Sequence, residues 1–251
     1  MPKAQNPNLQ VLETAVRLLG PLADDMVFLG GCATGLLLTD AAAPPIRATQ
    51  DVDVITEVAS LADYHRLTAE LRERGFKEDQ RRDAPVCRWV NDGIVLDVMP
   101  TSPAVLGFGN EWYQPALETA VAINLPSGMQ IRIVTAPYFL ATKLAAFDGR
   151  GHGDYVMSHD LEDIVAVVDG RPQIVEEVKR ADQGLRLHLM ERFTAFLEDP
   201  TFLAALPGHL PGDTASQARA PLVLDRIAAI AGGEMNPPSR GKTSNSQQGG
   251  G

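Results

Sequence analysis

The stretch Asp51-Val52-Asp53-Val54-Ile55 alternates acid and aliphatic side chains. Successive side chains of a strand point to opposite faces, so this pattern turns both carboxylates toward a solvent cleft and both valines toward a core. Upstream, Met26-Val27-Phe28-Leu29 reads as a short buried strand, after which Gly30-Gly31 turns into an apolar helix from Ala33 to Leu38. Downstream, Val86 to Val90 and Ile94 to Met99 read as a hairpin across Asn91-Asp92-Gly93, and its second strand carries a third carboxylate, Asp97. The separation between Gly31 and Asp51 is long and contains Ala42-Ala43-Pro44-Pro45, which predicts an enlarged loop.

Around this core the chain continues in a regular way. Leu9, Val11, Leu12, Val16 and Leu19 recur at helical spacing from Asn8 to Leu19, and Gly20-Pro21 ends that helix. Leu61 to Arg74 forms an amphipathic helix closed by Gly75. Short strands are expected over Thr119 to Asn124 and Gln130 to Val134, across Pro126-Ser127-Gly128. From Ala136 the periodicity becomes helical, with helices expected at Pro137 to Phe147, His159 to Val168, Pro172 to Arg180, Leu185 to Leu197 and Leu222 to Ala231. The expected organisation is a catalytic core over 1–135, a helical C-terminal subdomain over 136–235 that completes the cleft, and a disordered tail over 236–251. The tail holds Pro, Ser, Gln, Asn and Gly without apolar periodicity and cannot offset its chain entropy. No internal repeat is visible.

Composition sets the outer bounds. The chain has 251 residues, 45% hydrophobic and 22% charged, enough apolar material for a large core. Its net charge of -10 repels polyphosphate and acidic membranes unless basic residues are gathered locally. Two isolated cysteines, Cys32 and Cys87, make neither a disulfide framework nor a zinc site, which fits a reducing cytoplasm. No apolar run reaches the ~18 residues of a membrane span, so a soluble, unexported protein is expected.

The acids and the glycine turn have separable chemical jobs. Gly30 and Gly31 allow close approach of the main chain, and amides at the start of the next helix can point at phosphate oxygens. Asp51, Asp53 and Asp97 offer hard oxygen donors for Mg²⁺ or Mn²⁺. Nucleotidyl transfer needs metals to neutralise a triphosphate and activate the attacking hydroxyl, commonly a pair about 3.5–4 Å apart. Asp97 is also the candidate for drawing a proton from the acceptor hydroxyl. Taken singly, a glycine pair is an ordinary turn and an Asp-x-Asp an ordinary strand edge. In this order, with acids inside the aliphatic strands VDVI and IVLDVM, they read better as a metal-nucleotide site.

The blocks VFLGGCATGLLL, RATQDVDVI, LDVMP and APYFLATKLAAFDGRGHGDYVMSHDLEDIVAVV, spanning about Val27 to Asp169, resemble the nucleotidyltransferase toxins of the AbiEii family. That family lies within the DNA polymerase β-like superfamily. The resemblance implies an α+β fold, a polymerase β-like mixed sheet flanked by helices and followed by a helical C-terminal subdomain. It implies that Lys143 contacts the triphosphate, that Arg150 lies near it, and that Asp160 and Asp163 complete the nucleotide end of the cleft. Spacing alone puts Asp160 and Asp163 on one helix face. Cys32 stands where a hydroxyl residue commonly follows the glycines, so Thr34 or main-chain amides would supply that phosphate contact. The implied activity moves a nucleoside monophosphate from a nucleoside triphosphate to a tRNA 3′ end or a protein side chain. The implied biological role is the toxin of a toxin–antitoxin or abortive-infection system, with a separately encoded antitoxin as partner.

Three other readings remain in view. A small-molecule acceptor of antibiotic type suits the acidic charge, and a catalytically silent nucleotide-binding module would keep the fold for interaction. His152, Asp154, His159 and Asp160 are close in sequence, but read as a polar loop and helix start rather than a metal cluster. Arg72, Arg74, Lys77, Arg81, Arg82 and Arg88 form the densest basic stretch, read as a solvated helix end and loop. Trp89 and Trp112 are assigned to packing.

Overall fold

The computed structural model describes residues 6–150 and 153–233, with the side chain of Arg150 outside that description. The first half of the chain builds the sheet. Helix α1 (Leu9–Leu19) precedes β1 (Met26–Leu29), α2 (Gly30–Leu37), β2 (Asp51–Thr56), α3 (Leu61–Glu73), β3 (Lys77–Glu78), β4 (Arg88–Asn91) and β5 (Ile94–Pro100). Next come α4 (Pro103–Leu106), α5 (Tyr113–Glu118), β6 (Val121–Asn124) and β7 (Gln130–Ile133). Every described element after β7 is helical: α6 (Ala136–Arg150), α7 (His159–Gly170), α8 (Ile174–Arg180), α9 (Gln183–Glu198), α10 (Pro200–Ala205), α11 (Thr214–Gln217) and α12 (Ala220–Ile230). The architecture is the expected α+β one, a mixed seven-stranded sheet flanked by helices, in the order β3-β4-β5-β2-β1-β7-β6. No helix among the described residues is long and apolar enough to cross a membrane.

The acid-bearing strand lies in the middle of the sheet. β2 pairs antiparallel with β1 and parallel with β5, and the register sets Asp53 beside Leu29 on one side and Asp97 on the other. Val52 and Val54 are fully buried while Asp51 and Asp53 keep partial access to solvent, as the alternation requires. α1 covers these strands with Leu12, Ala15, Val16 and Leu19, one stripe at helical spacing. The hairpin turn is a two-residue Asp92-Gly93 loop with φ of 46° and 78°, the left-handed pair that matches strand twist.

α6 and α7 close the other side of the cleft. Phe139, Leu140, Ala141 and Leu144 of α6 are fully buried, so this helix runs through the core rather than over it. The end of α7 is locked by cations, which suit the negative end of a helix dipole. Arg226 donates to the carbonyls of Val168 and Asp169, and Arg219 Nε is shared between the two carboxylate oxygens of Asp169 at 2.7 and 2.8 Å while its Nη2 reaches Asp40 at 2.7 Å. The hydrogen bond from Arg219 holds the Asp40 carboxyl below its ordinary range. The amides of Thr39 and Asp40 both donate to Gly170 O at 2.9 Å, so the enlarged loop is pinned along α7.

Several boundaries differ from the sequence reading. α2 begins at the glycine pair itself, not at Ala33, because Gly30 takes a left-handed φ of 69° and turns the strand directly into the helix. Cys87 lies in the turn before β4 rather than in a strand. The two-residue β3 and the short helices α4, α5, α10 and α11 were not expected, since four to six residues carry too little periodicity to register. The expected tail at 236–251 lies outside the described residues.

Candidate functional site

Asp51, Asp53 and Asp97 meet on two adjacent strands. Asp53 and Asp97 are direct register partners, and Asp51 precedes Asp53 by one pleat on the same face. Gly30 makes room for Asp53. A Cβ on that glycine would lie 1.9 Å from Asp53 Oδ2, so no side chain fits where the carboxylate packs against the start of α2. Gly31 is constrained less, since a Cβ there would lie 2.6 Å from Nη2 of Arg47, the end of a flexible side chain.

Each carboxylate side of the cleft has its own cations. On the sheet side, Arg88 forks onto Asp97, with Nε to Oδ1 at 2.8 Å and Nη2 to Oδ2 at 2.7 Å, and its Nη2 lies 3.6 Å from Asp51 Oδ2. On the helix side, Lys143 of α6 reaches Asp160 Oδ1 at 3.1 Å and Asp163 Oδ2 at 2.6 Å. Arg47 forks onto the same Asp163 at 3.2 and 2.9 Å. Burial opposes the charge on Lys143, yet Asp163 and then Asp160 hold its ammonium above the ordinary lysine value. Burial likewise opposes the charge on Asp51. The Thr49 hydroxyl donates to it and, with a backbone amide, Arg88 and Arg47, keeps its carboxyl below the usual range.

Asn8 joins these parts. Its fully buried side chain donates to Gly31 O and Arg47 O, both at 3.2 Å, and accepts from the Thr49 amide at 2.8 Å. One amide therefore bolts the glycine turn to the segment that carries Arg47, Thr49 and Asp51. The cysteines beside the site are inert by position. Burial and then Asp53 raise the Cys32 thiol, while burial and then Asp97 push Cys87 up to about 12.

The result is a cleft of about 480 Å³ lined by Gly31, Arg47, Asp51, Asp53, Arg88, Asp97, Lys143 and Asp160, with Thr49, Ser158 and His159 at its margins. Five lining carboxylates, Asp154 included, face three cations, so the cleft carries an excess of negative charge. Hard carboxylate oxygens on adjacent strands are the donor chemistry that a divalent cation requires. Among the described residues, however, no three His, Cys, Asp or Glu side chains are gathered so as to hold a metal ion as they stand. Both oxygens of Asp97 are turned to Arg88.

The sequence-predicted residues divide accordingly. Gly31, Asp51, Asp53, Asp97, Lys143 and Asp160 come together in the cleft, Gly30 lies against Asp53, and Asp163 sits directly behind, under Lys143 and Arg47. Thr34 does not reach the cleft: it is fully buried, and its hydroxyl donates to Gly30 O one helical turn back. The side chain of Arg150, and all of His152, lie outside the described residues. Asp154 accepts from the amides of Val156 and Met157, which is a turn role.

Arg88 is a correction to the solvated basic stretch, because β4 places it opposite Asp97. Arg47, Thr49 and Asn8 were not singled out as site residues. For Arg47 and Thr49 the signal was available, since the alternation of Asp51 and Asp53 extends back by two further steps.

No protein-family model matches the chain, and no curated protein matches it in sequence. Among solved structures, the fold is similar to an antigenic nucleotidyltransferase-like protein from Paracoccidioides brasiliensis, at 19% identity and a TM-score of 0.46. The match covers 83% of this chain and 95% of that one.

Proposed function

We propose that the chain is a metal-dependent nucleotidyltransferase on a polymerase β-like core, moving a nucleoside monophosphate from a nucleoside triphosphate to an acceptor. The observation that supports this reading is the pairing of Asp53 with Asp97 across parallel strands, with Asp51 beside them and Lys143 across the cleft. An acidic cleft repels a triphosphate that arrives alone, which is why the reading includes Mg²⁺ or Mn²⁺. Asp51 and Asp53 would hold the cation, with Asp97 as the third ligand. A cation bound there neutralises triphosphate charge and favours ionisation of the acceptor hydroxyl.

The chain's own groups do the rest. Gly31 lines the cleft at the start of α2, where main-chain amides would suit phosphate oxygens. Lys143, carried by the helical region proposed as a second subdomain, supplies positive charge at the opposite wall. In the transfer, the acceptor oxygen bonds to the α-phosphorus, the bond from that phosphorus to the bridging oxygen breaks, and pyrophosphate leaves. Asp97 would take the acceptor proton, and Asp160 and Asp163 would complete the nucleotide end.

The sequence resemblance supports a tRNA or protein acceptor, a toxin role in the cytoplasm and a separate antitoxin. The excess of carboxylates in the cleft supports a second reading, a cationic small-molecule acceptor. The test is pyrophosphate release from each of the four nucleoside triphosphates with Mg²⁺ or Mn²⁺, in the presence of total tRNA, of an aminoglycoside panel, or of neither. Metal-dependent release that rises with one acceptor is the expected result. Nucleotide-induced thermal stabilisation without release would instead identify a silent nucleotide-binding module, and the absence of both stabilisation and release would sink the nucleotide site altogether.

The glycine turn gives an independent check. Gly30→Ala should cut release by about 10²-fold, as expected when a catalytic group is displaced by about 1 Å, because the new Cβ collides with Asp53. Gly128→Ala has the same positive-φ strain but nothing within 4 Å of its Cβ, and should leave turnover unchanged. Equal losses in both variants would assign the effect to backbone strain rather than to Asp53.

A further inference from the structure

The charges of the cleft fall into two sets that share few partners. Lys143 and Arg47 are engaged by Asp163, Asp160 and Glu162 on α7, whereas the ion-pair distances of Arg88 are to Asp97 and Asp51 on the sheet. Arg88 is therefore a cation placed directly among the acids of the two central strands. Its planar fork matches the carboxylate of Asp97 at two points, the strongest geometry available to such a pair. Both groups are mostly shielded, at 21% and 10% side-chain exposure, which limits screening. The proximity of Asp97 and of Asp51 raises the Arg88 guanidinium, so it remains charged at any working pH.

We propose that Arg88 is a resident counter-cation that competes with a divalent cation for Asp97, so that the full carboxylate set forms only when Arg88 swings toward the cleft mouth. This rests on the metal site of the proposed nucleotidyltransferase. In the resting arrangement Arg88 lies within 3.6 Å of Asp51 and 2.7 Å of Asp97 and offsets the repulsion between these like charges on adjacent strands. The same contact places a positive charge where an incoming cation must bind. Arg88 thereby sets metal affinity without itself being a ligand, and once withdrawn it is positioned at the cleft to meet the negative charge of a triphosphate.

Mn²⁺ binding to the nucleotide-free full chain, followed by electron paramagnetic resonance and calorimetry, tests the proposal without relying on turnover. Arg88→Gln should bind Mn²⁺ at least about tenfold more tightly than wild type, since a unit charge beside the ion has been removed. Arg88→Lys keeps the charge but not the fork and should fall between the two, which preserves the test if the glutamine variant folds poorly. Asp53→Asn should abolish binding in every background. Equal or weaker binding in both Arg88 variants, still abolished by Asp53→Asn, would overturn the counter-cation role and leave the metal site standing. No Mn²⁺ binding in any variant would overturn the metal site itself.

Discussion

Asp53→Asn should lower metal-dependent pyrophosphate release by about a thousandfold, close to 4 kcal/mol of transition-state stabilisation. The sheet and the glycine turn together position Asp53. It is flanked by Leu29 and Asp97 in the sheet and backed by Gly30, where not even a methyl group would fit. The amide of asparagine keeps the shape of the carboxylate while removing its charge, so the loss reads chemistry rather than repacking. Release and thermal midpoint should be measured together on the same preparation. A folded variant that turns over at the wild-type rate would remove Asp53 from the chemistry and, with it, the proposed site.

Lys143→Ala should be the most destabilising single change in the cleft. Lys143 is 7% exposed and sits between two carboxylates that are themselves buried, Asp160 at 5% and Asp163 at 2%. Breaking a buried pair from one side costs about 3–5 kcal/mol, because the remaining charge is left without its partner. For a chain of this size that is a fall in thermal midpoint of roughly 10 °C. Asp160→Asn added to Lys143→Ala should recover part of the loss, since one of the two carboxylates that lose Lys143 no longer carries a charge.

The pH dependence has a definite sign. The folded-state pKa of Lys143 is raised above its ordinary value of 10.5, so its contribution is fully present below that value. It is lost only as pH rises through the folded pKa, and neutral and mildly acidic buffers leave it intact. In Lys143→Ala the penalty should instead shrink toward acid pH, because the lost ion pairs matter only while their carboxylates are charged. Thermal unfolding of both proteins from acid to neutral pH checks this. A penalty that stays constant, or grows toward acid, would show that packing and not charge explains the loss.

The strand that decides the fold was legible because acids and valines alternate without interruption, and the sheet keeps that alternation residue for residue. The helix over Leu9–Leu19 was legible for the same reason at a different period. Arg88 was misread because local composition groups it with the arginines before it. The register that assigns it was nevertheless present: a two-residue Asp92-Gly93 loop pairs Asn91 with Ile94, and three further steps bring Arg88 opposite Asp97. Asn8 had no such signal. Its three bonds span 23, 39 and 41 residues, and nothing in its neighbourhood distinguishes it from an ordinary residue at a helix start. Thr34 was misplaced because the helix starts at the glycines, which turns its hydroxyl inward.

The wiring of the cleft bears on how the chain is synthesised. The hairpin that neutralises Asp97 is local, its partners only nine residues apart, so this pair can form soon after β5 has left the ribosome. Arg47 waits for an acid that lies 116 residues further on, and Lys143 for the same helix. Domains fold progressively as they emerge, but here Arg47 and Lys143 cannot meet Asp163 until α7 has been made. A chain arrested before residue 163 therefore lacks the carboxylate that holds both Arg47 and Lys143. The cleft is complete only once translation has run past α7.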